Sequence, residues 1–470
     1  MWSDIVLNIN DTKSGASSGA GTGNHCKIGV SSVESSDPIV IRGSMDTTRI
    51  RELLGKSPLA DACIDSVEHG ASLIYCMPVA AGTQGTFGSV TKEGTGAGTI
   101  TPSGSPTNSF DVIIRIEKTG AVNEATCVIS EDGGFTYGDE MTIPLAGTYV
   151  LPNTGITLTF ASEGSAKFVA GDVYSFKATA PSASNEAIIA AAGKLRDFKG
   201  AYEFIHIAGP TTPALWASLE AMGKTWEKDN GRPMIFLCEQ RMPTADETAA
   251  AYSAAIASQA AGINGRHVAV SATWMRYTAL DGRQRSTNFA GILCGWLARS
   301  KESTSAAFLP EFSLPEDKVA GFLPADILDY AEVLETARYI VLRTYNGKEG
   351  YYAASANMTI SAASDFCDIE ICRVMYRIAR EVYQRSLDHL NEDFDQSNLD
   401  VEMKQVQEDL NVPVDQALAE KIISGGQVTL LLDQMSGNKD KTLPVRIEIL
   451  PRGYIRKIIL DMYCVNALAQ

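Results

Sequence analysis

The residues of this 470-residue chain that could do chemistry are five histidines, nine cysteines and a run of carboxylates towards the C-terminus. The histidines are His25, His69, His206, His267 and His389, and none stands in H-E-x-x-H, where two imidazoles one helical turn apart would hold zinc. No two lie within helical reach of each other, so no histidine metal site is expected. His206, close to Phe204 and Ile207 in a strand-like run, reads as a satisfied core or edge histidine. G-x-S-x-G is absent, which leaves an α/β-hydrolase nucleophile elbow unsupported. Gly55-Lys56-Ser57 and Gly223-Lys224-Thr225 mimic the end of a phosphate loop, but the glycine needed five positions earlier is Ile50 and Ser218. Both pairs read as following helices, and so as helix stops. Gly94, Gly96 and Gly98 have no helix after them to offer N–H groups to a phosphate and read as a flexible β loop.

Asp388, Glu392, Asp393, Asp395, Asp400, Glu402, Glu408, Asp409 and Asp415 form the acidic stretch. Its core, EDFDQSNLD, lacks the glycine and the terminal bidentate glutamate of a calcium loop, so a solvated acidic face is expected. Just upstream, Arg373, Arg377, Arg380 and Arg385 recur at i, i+4, i+7 and i+12 along one helix side. Arginine presents a fork of donors that fits carboxylates, and the stripe reads as a surface that meets them. The cysteines (Cys26, Cys63, Cys76, Cys127, Cys238, Cys294, Cys367, Cys372 and Cys464) include no C-x-x-C pair. Most lie in apolar contexts such as IYCMP and IFLCE, as free core thiols folded in a reducing cytoplasm would. Catalytic, cofactor-binding and metal-binding residues are therefore expected to be none, and no cofactor is implied.

The net charge of -16 argues against nucleic acid as a partner, since phosphate binding needs clustered Lys and Arg. No apolar run approaches the ~20 residues needed to cross a bilayer, and the N-terminus lacks a basic region followed by an apolar core. Neither a cleaved signal nor a membrane span is expected.

The elements that would carry such residues alternate. Strands are predicted at His25 to Val33 and Pro38 to Arg42, helices at Asp46 to Leu54 and Pro58 to His69, and a buried strand at Leu73 to Val79. From Ala80 to about Ser184, Gly, Thr, Ser and Pro dominate and short alternating runs recur, the pattern of a small β sandwich or barrel. Helix Asn185 to Leu195, strand Tyr202 to Ala208, helix Thr212 to Lys228, strand Met234 to Glu239, helix Asp246 to Ala261 and strand Val268 to Ala272 follow, implying a mostly parallel sheet covered on both faces. Beyond them come helices Asn288 to Ser300 and Pro324 to Thr336, strands Tyr339 to Tyr345 and Ala356 to Ile360, and a long helix Ser364 to Leu390. Two shorter helices, Leu399 to Leu410 and Val414 to Ile423, then precede β runs at Val428 to Leu432, Val445 to Leu450 and Ile455 to Val465.

Both ends stand apart. Met1 to Asn10 (MWSDIVLNIN) is a strand cut off by the Gly/Ser-rich tether Asp11 to Asn24, and YIRKIILDMYCV (Tyr454 to Val465) is a β run close to the last residue. A lone strand leaves its N–H and C=O groups unpaired, so a tethered terminal strand implies an edge to dock on.

Taken in order, these parts resemble the sheath proteins of contractile phage tails and related injection systems. The passages that carry the resemblance are CKIGVSSVESSDPIVIRGSMDTTRIRELLGKSPLADACIDSVEHGASLIYCMPV and LPVRIEILPRGYIRKIILDMYCV. It implies an α/β and α+β multidomain fold, a tail-sheath-like core with an inserted all-β domain and exchanged N- and C-terminal β arms. The limits expected are 1-24 for the N-terminal arm and linker, 25-80 with 185-345 for the sheath domain, 81-184 for an outward-facing β insertion, 346-453 for an inner α+β domain and 454-470 for the C-terminal arm. It further implies that Ile5, Val6, Leu7, Ile9, Ile455, Ile458, Ile459, Leu460 and Met462 add strands to neighbouring subunits. Arg373, Arg377, Arg380 and Arg385 become candidates for a tube-facing or inter-subunit surface. The partners implied are other copies in stacked hexameric rings, an inner tube protein, and baseplate and terminator or cap proteins. Assembly would occur in the bacterial cytoplasm, with release on lysis as part of a phage tail or phage-tail-like particle. Two other readings compete: an α/β hydrolase-like or carbohydrate-active enzyme with a β accessory module, and a surface adhesin. The enzyme reading wants convergent polar groups at strand C-termini, and none is evident from sequence.

Overall fold

The computed structural model describes residues 23–162, 167–394, 398–432 and 442–460. Chain order begins with β1 (His25–Val30), β2 (Ile39–Arg42), α1 (Thr47–Leu54), α2 (Pro58–Glu68) and β3 (Leu73–Val79). Local chemistry sets these limits: the Asp46 carboxylate accepts from Arg49 N–H to start α1, Gly55 at φ 71° ends it, and Ser57 with Pro58 behind it starts α2. Gly55-Lys56-Ser57 thus closes one helix and opens the next, which corrects its reading as a stop alone. Lys56 is turned away to Glu131 at 2.7 Å.

Eight strands follow without a helix: β4 (Thr91–Glu93), β5 (Thr99–Gly104), β6 (Phe110–Lys118), β7 (Thr126–Ser130), β8 (Met141–Thr142), β9 (Thr148–Leu151), β10 (Ile156–Ala161) and β11 (Val173–Ala178). They form sheets ordered β5-β10-β9 and β4-β11-β6-β7-β8 around a core of their own that includes Ile114, Leu158, Phe168 and Phe176. The alternating burial of β6 and β10 shows one face turned inward and one outward.

Next come α3 (Asn185–Asp197), β12 (Phe204–Pro210), α4 (Pro213–Asn230), β13 (Ile235–Glu239), α5 (Ala249–Ile256) and β14 (Val268–Ser271). The central sheet runs β14-β13-β12-β1-β3-β2, parallel throughout except for β2 against β3. Alternate residues feed two cores: Phe204 and Leu237 pack with α2 on one face, Ile205, Ile207, Phe236 and Trp216 of α4 on the other. Gly223-Lys224-Thr225 lies inside α4 and is not a stop. Glycine is needed there because a Cβ would come within 2.5 Å of the His267 ring.

Strands β15 (Trp274–Thr278) and β16 (Gln284–Asn288) precede α6 (Phe289–Arg299), and β17 (Val319–Leu323) completes a three-stranded sheet ordered β16-β15-β17. The helix expected over Pro324 to Thr336 is shorter: a 3-10 turn, Ile327–Tyr330, leads into α7 (Ala331–Thr336). Hairpin β18 (Leu342–Tyr345) and β19 (Lys348–Ala353) follows. Ala356 to Ile360 is not a strand. Asn357 and Thr359 spend their side chains on the carbonyls of Glu335 and Gly265, and only single backbone contacts, such as Thr359 N–H to Val268 O, continue a ladder.

The last section holds α8 (Ile369–Asp388), α9 (Leu399–Ala419), β20 (Ile423–Leu430) and β21 (Val445–Pro451). Where the sequence predicts two helices, α9 is one, with Pro413 inside it. Proline in a helix interior costs roughly 3 kcal/mol, but Leu410, Val414 and Ala417 bury beside it against α8 and β20 and hold the helix together. Among the described residues, 452–460 lie in no strand, contrary to the run expected from Ile455.

Candidate assembly surface

Strands β20 and β21 pair antiparallel from Ile423↔Pro451 to Leu430↔Val445, with a register irregularity between Ile423 and Gly425. Among the described residues they form a sheet of two; the outer edge of β20 is partly capped by α9, whose Asn411 and Gln407 side chains accept from the Val428 and Leu430 N–H groups at 2.9 and 3.5 Å, while β21 has no further strand beside it. A two-stranded sheet is marginal in water unless something covers a face. Here Ile423, Val428, Leu430 and Ile449 bury against Val374, Ile378 and Val382 of α8 and Met403, Val406 and Leu410 of α9.

The chain leaves β21 as an exposed apolar tail. Ile455 is 80%, Ile458 70%, Ile459 73% and Leu460 88% exposed. Burying each such side chain would be worth roughly 1.5–3 kcal/mol, and the described residues leave all four in water. Of the other residues expected in the arms, Ile5, Val6, Leu7, Ile9 and Met462 lie outside the described residues.

The arginine stripe is corrected. The Arg373 side chain is fully buried and pairs with Glu203 at 2.7 Å; Arg377 pairs with Glu302 at 3.2 Å and Glu381 at 2.5 Å. Arg380 donates to the Pro233 carbonyl at 3.1 Å, and Arg385 meets Asp409 at 2.6 Å. These guanidiniums bolt α8 to the central sheet and to α9 within one subunit. Arg373, Arg377 and Arg385 do meet carboxylates, but their own, while Arg380 meets a carbonyl, and for Arg373 a tube-facing or inter-subunit role is ruled out by burial. Burial opposes ionisation of Glu203, yet the Arg373 guanidinium holds its carboxyl below the usual range. Glu302 goes the other way: burial, and then the Glu203 charge, push it up to about 7.

A second polar feature escaped the sequence. Lys27, His206 and Glu239 form a buried row across β1, β12 and β13, with Lys27 Nζ 2.8 Å from His206 Nδ1 and His206 Nε2 3.0 Å from Glu239 Oε1. His206 is a satisfied core histidine. Burial pushes Glu239 up to about 8. Above it, a cavity of about 1070 Å³ opens at the carboxyl ends of β1, β12 and β13, against the helix-free block. It lies where neighbouring strands diverge to opposite sides of the sheet, the crevice in which open α/β sheets hold ligands. Two of its carboxylates are paired within the lining, Asp65 with Arg285 at 2.5 Å and Asp111 with Arg276 at 2.6 Å. No group of three His, Cys, Asp or Glu among the described residues is disposed to hold a metal ion. No spacing rule links Lys27, His206 and Glu239, because parallel register alone makes them neighbours.

A parallel core with a helix-free block and an open-edged terminal sheet defines a class. The fold is that of contractile sheath subunits. It is similar to the sheath of an extracellular contractile injection system, PVC, in its contracted state (TM-score 0.53, 9% identity, covering 98% of this chain and 97% of that one). It is equally similar to the contracted helical sheath of the anti-feeding prophage, AFP (TM-score 0.53, 10% identity, 98% of both chains). The sheath tail protein of Desulfitobacterium hafniense matches at TM-score 0.45 and 13% identity over 96% of this chain and 100% of that one. No curated protein matches. The chain itself belongs to the DUF2586 family, whose N-terminal domain matches residues 2–357 and whose C-terminal domain matches residues 365–469.

Proposed function

We propose that this protein is the structural subunit of a contractile sheath, polymerising around an inner tube and contracting to drive that tube through a target envelope. One observation carries the reading: an exposed apolar stretch beside a two-stranded sheet whose β21 edge has no neighbour among the described residues, on a fold shared from end to end with contracted sheaths. Strand addition satisfies both needs at once, since an arriving arm pairs the edge and buries its own side chains. A tether of the length of Asp11 to Asn24 reaches about 45 Å at ~3.3 Å per residue, far enough for a neighbouring subunit. Each new backbone hydrogen bond adds only ~0.5–1.5 kcal/mol, but repetition through a lattice makes the mesh strong.

In this reading 1-24 and 454-470 are the exchanged arms, 25-80 with 185-345 the sheath domain, 81-184 an outward insertion and 346-453 the inner domain. The partners are further copies in stacked hexameric rings, the tube, a baseplate and a terminator. Contraction is a rigid-body change of packing between two states, with the arms keeping subunits connected. The work is mechanical and needs no catalytic group. Assembly precedes release of the particle from a bacterial cytoplasm. Among the described residues no helix is long and apolar enough to cross a membrane.

Electron microscopy of the full chain, alone and co-expressed with its tube protein, tests the proposal. Tubes or sixfold rings are expected; a chain that stays monomeric beside the tube protein would overturn it.

A further inference from the structure

The C-terminal arm is not loose from its first residue. After β21 ends at Pro451 the chain runs on in an alternating way: Arg452 donates to the Lys421 carbonyl at 2.9 Å, Tyr454 donates its hydroxyl to Asp368 Oδ2 at 3.2 Å, and Arg456 pairs with the same carboxylate. The intervening Ile455 faces solvent, and every residue from Lys457 to Leu460 is exposed. Contacts at every second residue are the period of an extended chain, and among the described residues, which run to Leu460, the last is at Arg456.

Asp368 is a firm mooring. It occupies the position before α8 where an aspartate normally accepts a hydrogen bond from its own helix, yet its side chain makes none. It is 3% exposed and turned to the arm instead. Its backbone is stitched on both sides: Met358 N–H donates to Cys367 O at 3.0 Å, Ile369 N–H to Ala356 O at 2.9 Å, and Arg338 donates to the Cys367 carbonyl at 2.5 Å.

Resting on the strand-exchange reading, we infer that the C-terminal arm is moored at Asp368 and that the part given to a second copy of this chain begins at Lys457. The root, Arg452 to Arg456, stays with its own subunit. Ile455 therefore belongs to a stationary pier, and Ile458, Ile459 and Leu460 to the transferred strand. Pull on an arm then enters the body at the start of α8, the helix whose Arg373 and Arg377 are tied to the central core.

Limited trypsin digestion of the full-length subunit, read by mass spectrometry, tests this. The wild type is first trimmed after Lys457, with cleavage after Arg452 and Arg456 slower by roughly tenfold, because a residue must leave its partner to enter a protease. In Asp368→Asn those two cuts rise to the Lys457 rate while circular dichroism stays unchanged, and in Arg456→Lys, which keeps the cleavage site but loses the guanidinium fork on Asp368, both also speed up. Equal rates at all three sites in the wild type, or a pattern that Asp368→Asn leaves alone, would overturn the mooring. Tyr454→Phe, which removes one hydroxyl, gives an intermediate ladder if the root is held as described and the wild-type ladder if it is not. A chain lacking residues 457–470 separates the mooring from the exchange reading. Normal tubes from it, beside a full-length ladder that responds to Asp368→Asn, would keep the mooring and sink the exchange. Lost tubes with a ladder indifferent to Asp368→Asn would do the reverse.

Discussion

The central sheet and the terminal sheet of this subunit are built from similar residues but finish differently. In the first, β1 lies between two parallel neighbours, and helices cover both faces, so backbone and side chains alike are satisfied inside one subunit. In the second, two strands rest on two helices and stop, with the β21 edge open among the described residues and four large apolar side chains beside it in solvent. Closed regions hold their shape, and open ones ask for another molecule. Stability and assembly should therefore respond to different mutations.

The largest expected break is in assembly alone. Deleting Met1 to Asn10 should leave a soluble subunit with an unchanged melting temperature that makes no stable tubes, as read by electron microscopy and size-exclusion chromatography. Ordinary tubes from the truncated chain would end the connector reading. The mirror experiment is Trp216→Ala in the closed region. That side chain is fully buried and its indole donates to Thr211 at 2.7 Å, so its loss should cost about 3–5 kcal/mol in urea denaturation. A Trp216→Ala chain as stable as wild type would show that the central sheet is not the rigid half.

The seam between the halves comes next. Arg373→Ala strands Glu203 in a buried site, and breaking a buried pair on one side costs about 3–5 kcal/mol. The lower end, about 3 kcal/mol, is expected because the charge of Arg380 also favours ionised Glu203. Chemical denaturation measures it. A stable Arg373→Ala subunit that fails only to bind the tube would restore the surface role that burial excludes.

How much of this was legible follows from range. The strand at Leu73 to Val79 has the predicted limits, because period, composition and flanking turns are local. The arginine stripe was half legible. Helical spacing put the four guanidiniums on one side, but the carboxylate Arg373 meets is 170 positions away, so a bolt looked like a face. The α9 helix crosses Pro413 because buried neighbours outweigh propensity, and Gly223 sits in mid-helix because His267 comes close from another element. Lys27, His206 and Glu239 meet only through sheet register, which no spacing rule encodes.

The smallest effect expected is a pH slope at the same seam. Glu302 is raised from 4.5 to about 7, first by burial and then by the charge of Glu203, so its native carboxyl keeps a proton that the unfolded chain has already released. While the native state binds more protons than the unfolded one, raising the pH must lower stability. The contribution of Glu302 is therefore intact below pH about 4.5 and lost as pH rises towards about 7. The decline is ~1–3 kcal/mol, because a tenfold difference in proton affinity between the two states is worth ~1.36 kcal/mol. Glu203, held low by Arg373, acts with the opposite sign and weakens the fold on acidification, which confines the test to the range above pH about 5. Glu302→Gln keeps an oxygen for Arg377 at nearly the same volume but cannot titrate. Melting temperatures from pH 5 to 7.5 should fall in both chains, because Glu239 and Glu370 are also held up by burial, but more steeply for the wild type, with the two curves farthest apart at the alkaline end. Parallel curves would mean that the seam joining the closed half to the open half is indifferent to this proton, and that its stiffness comes from packing alone.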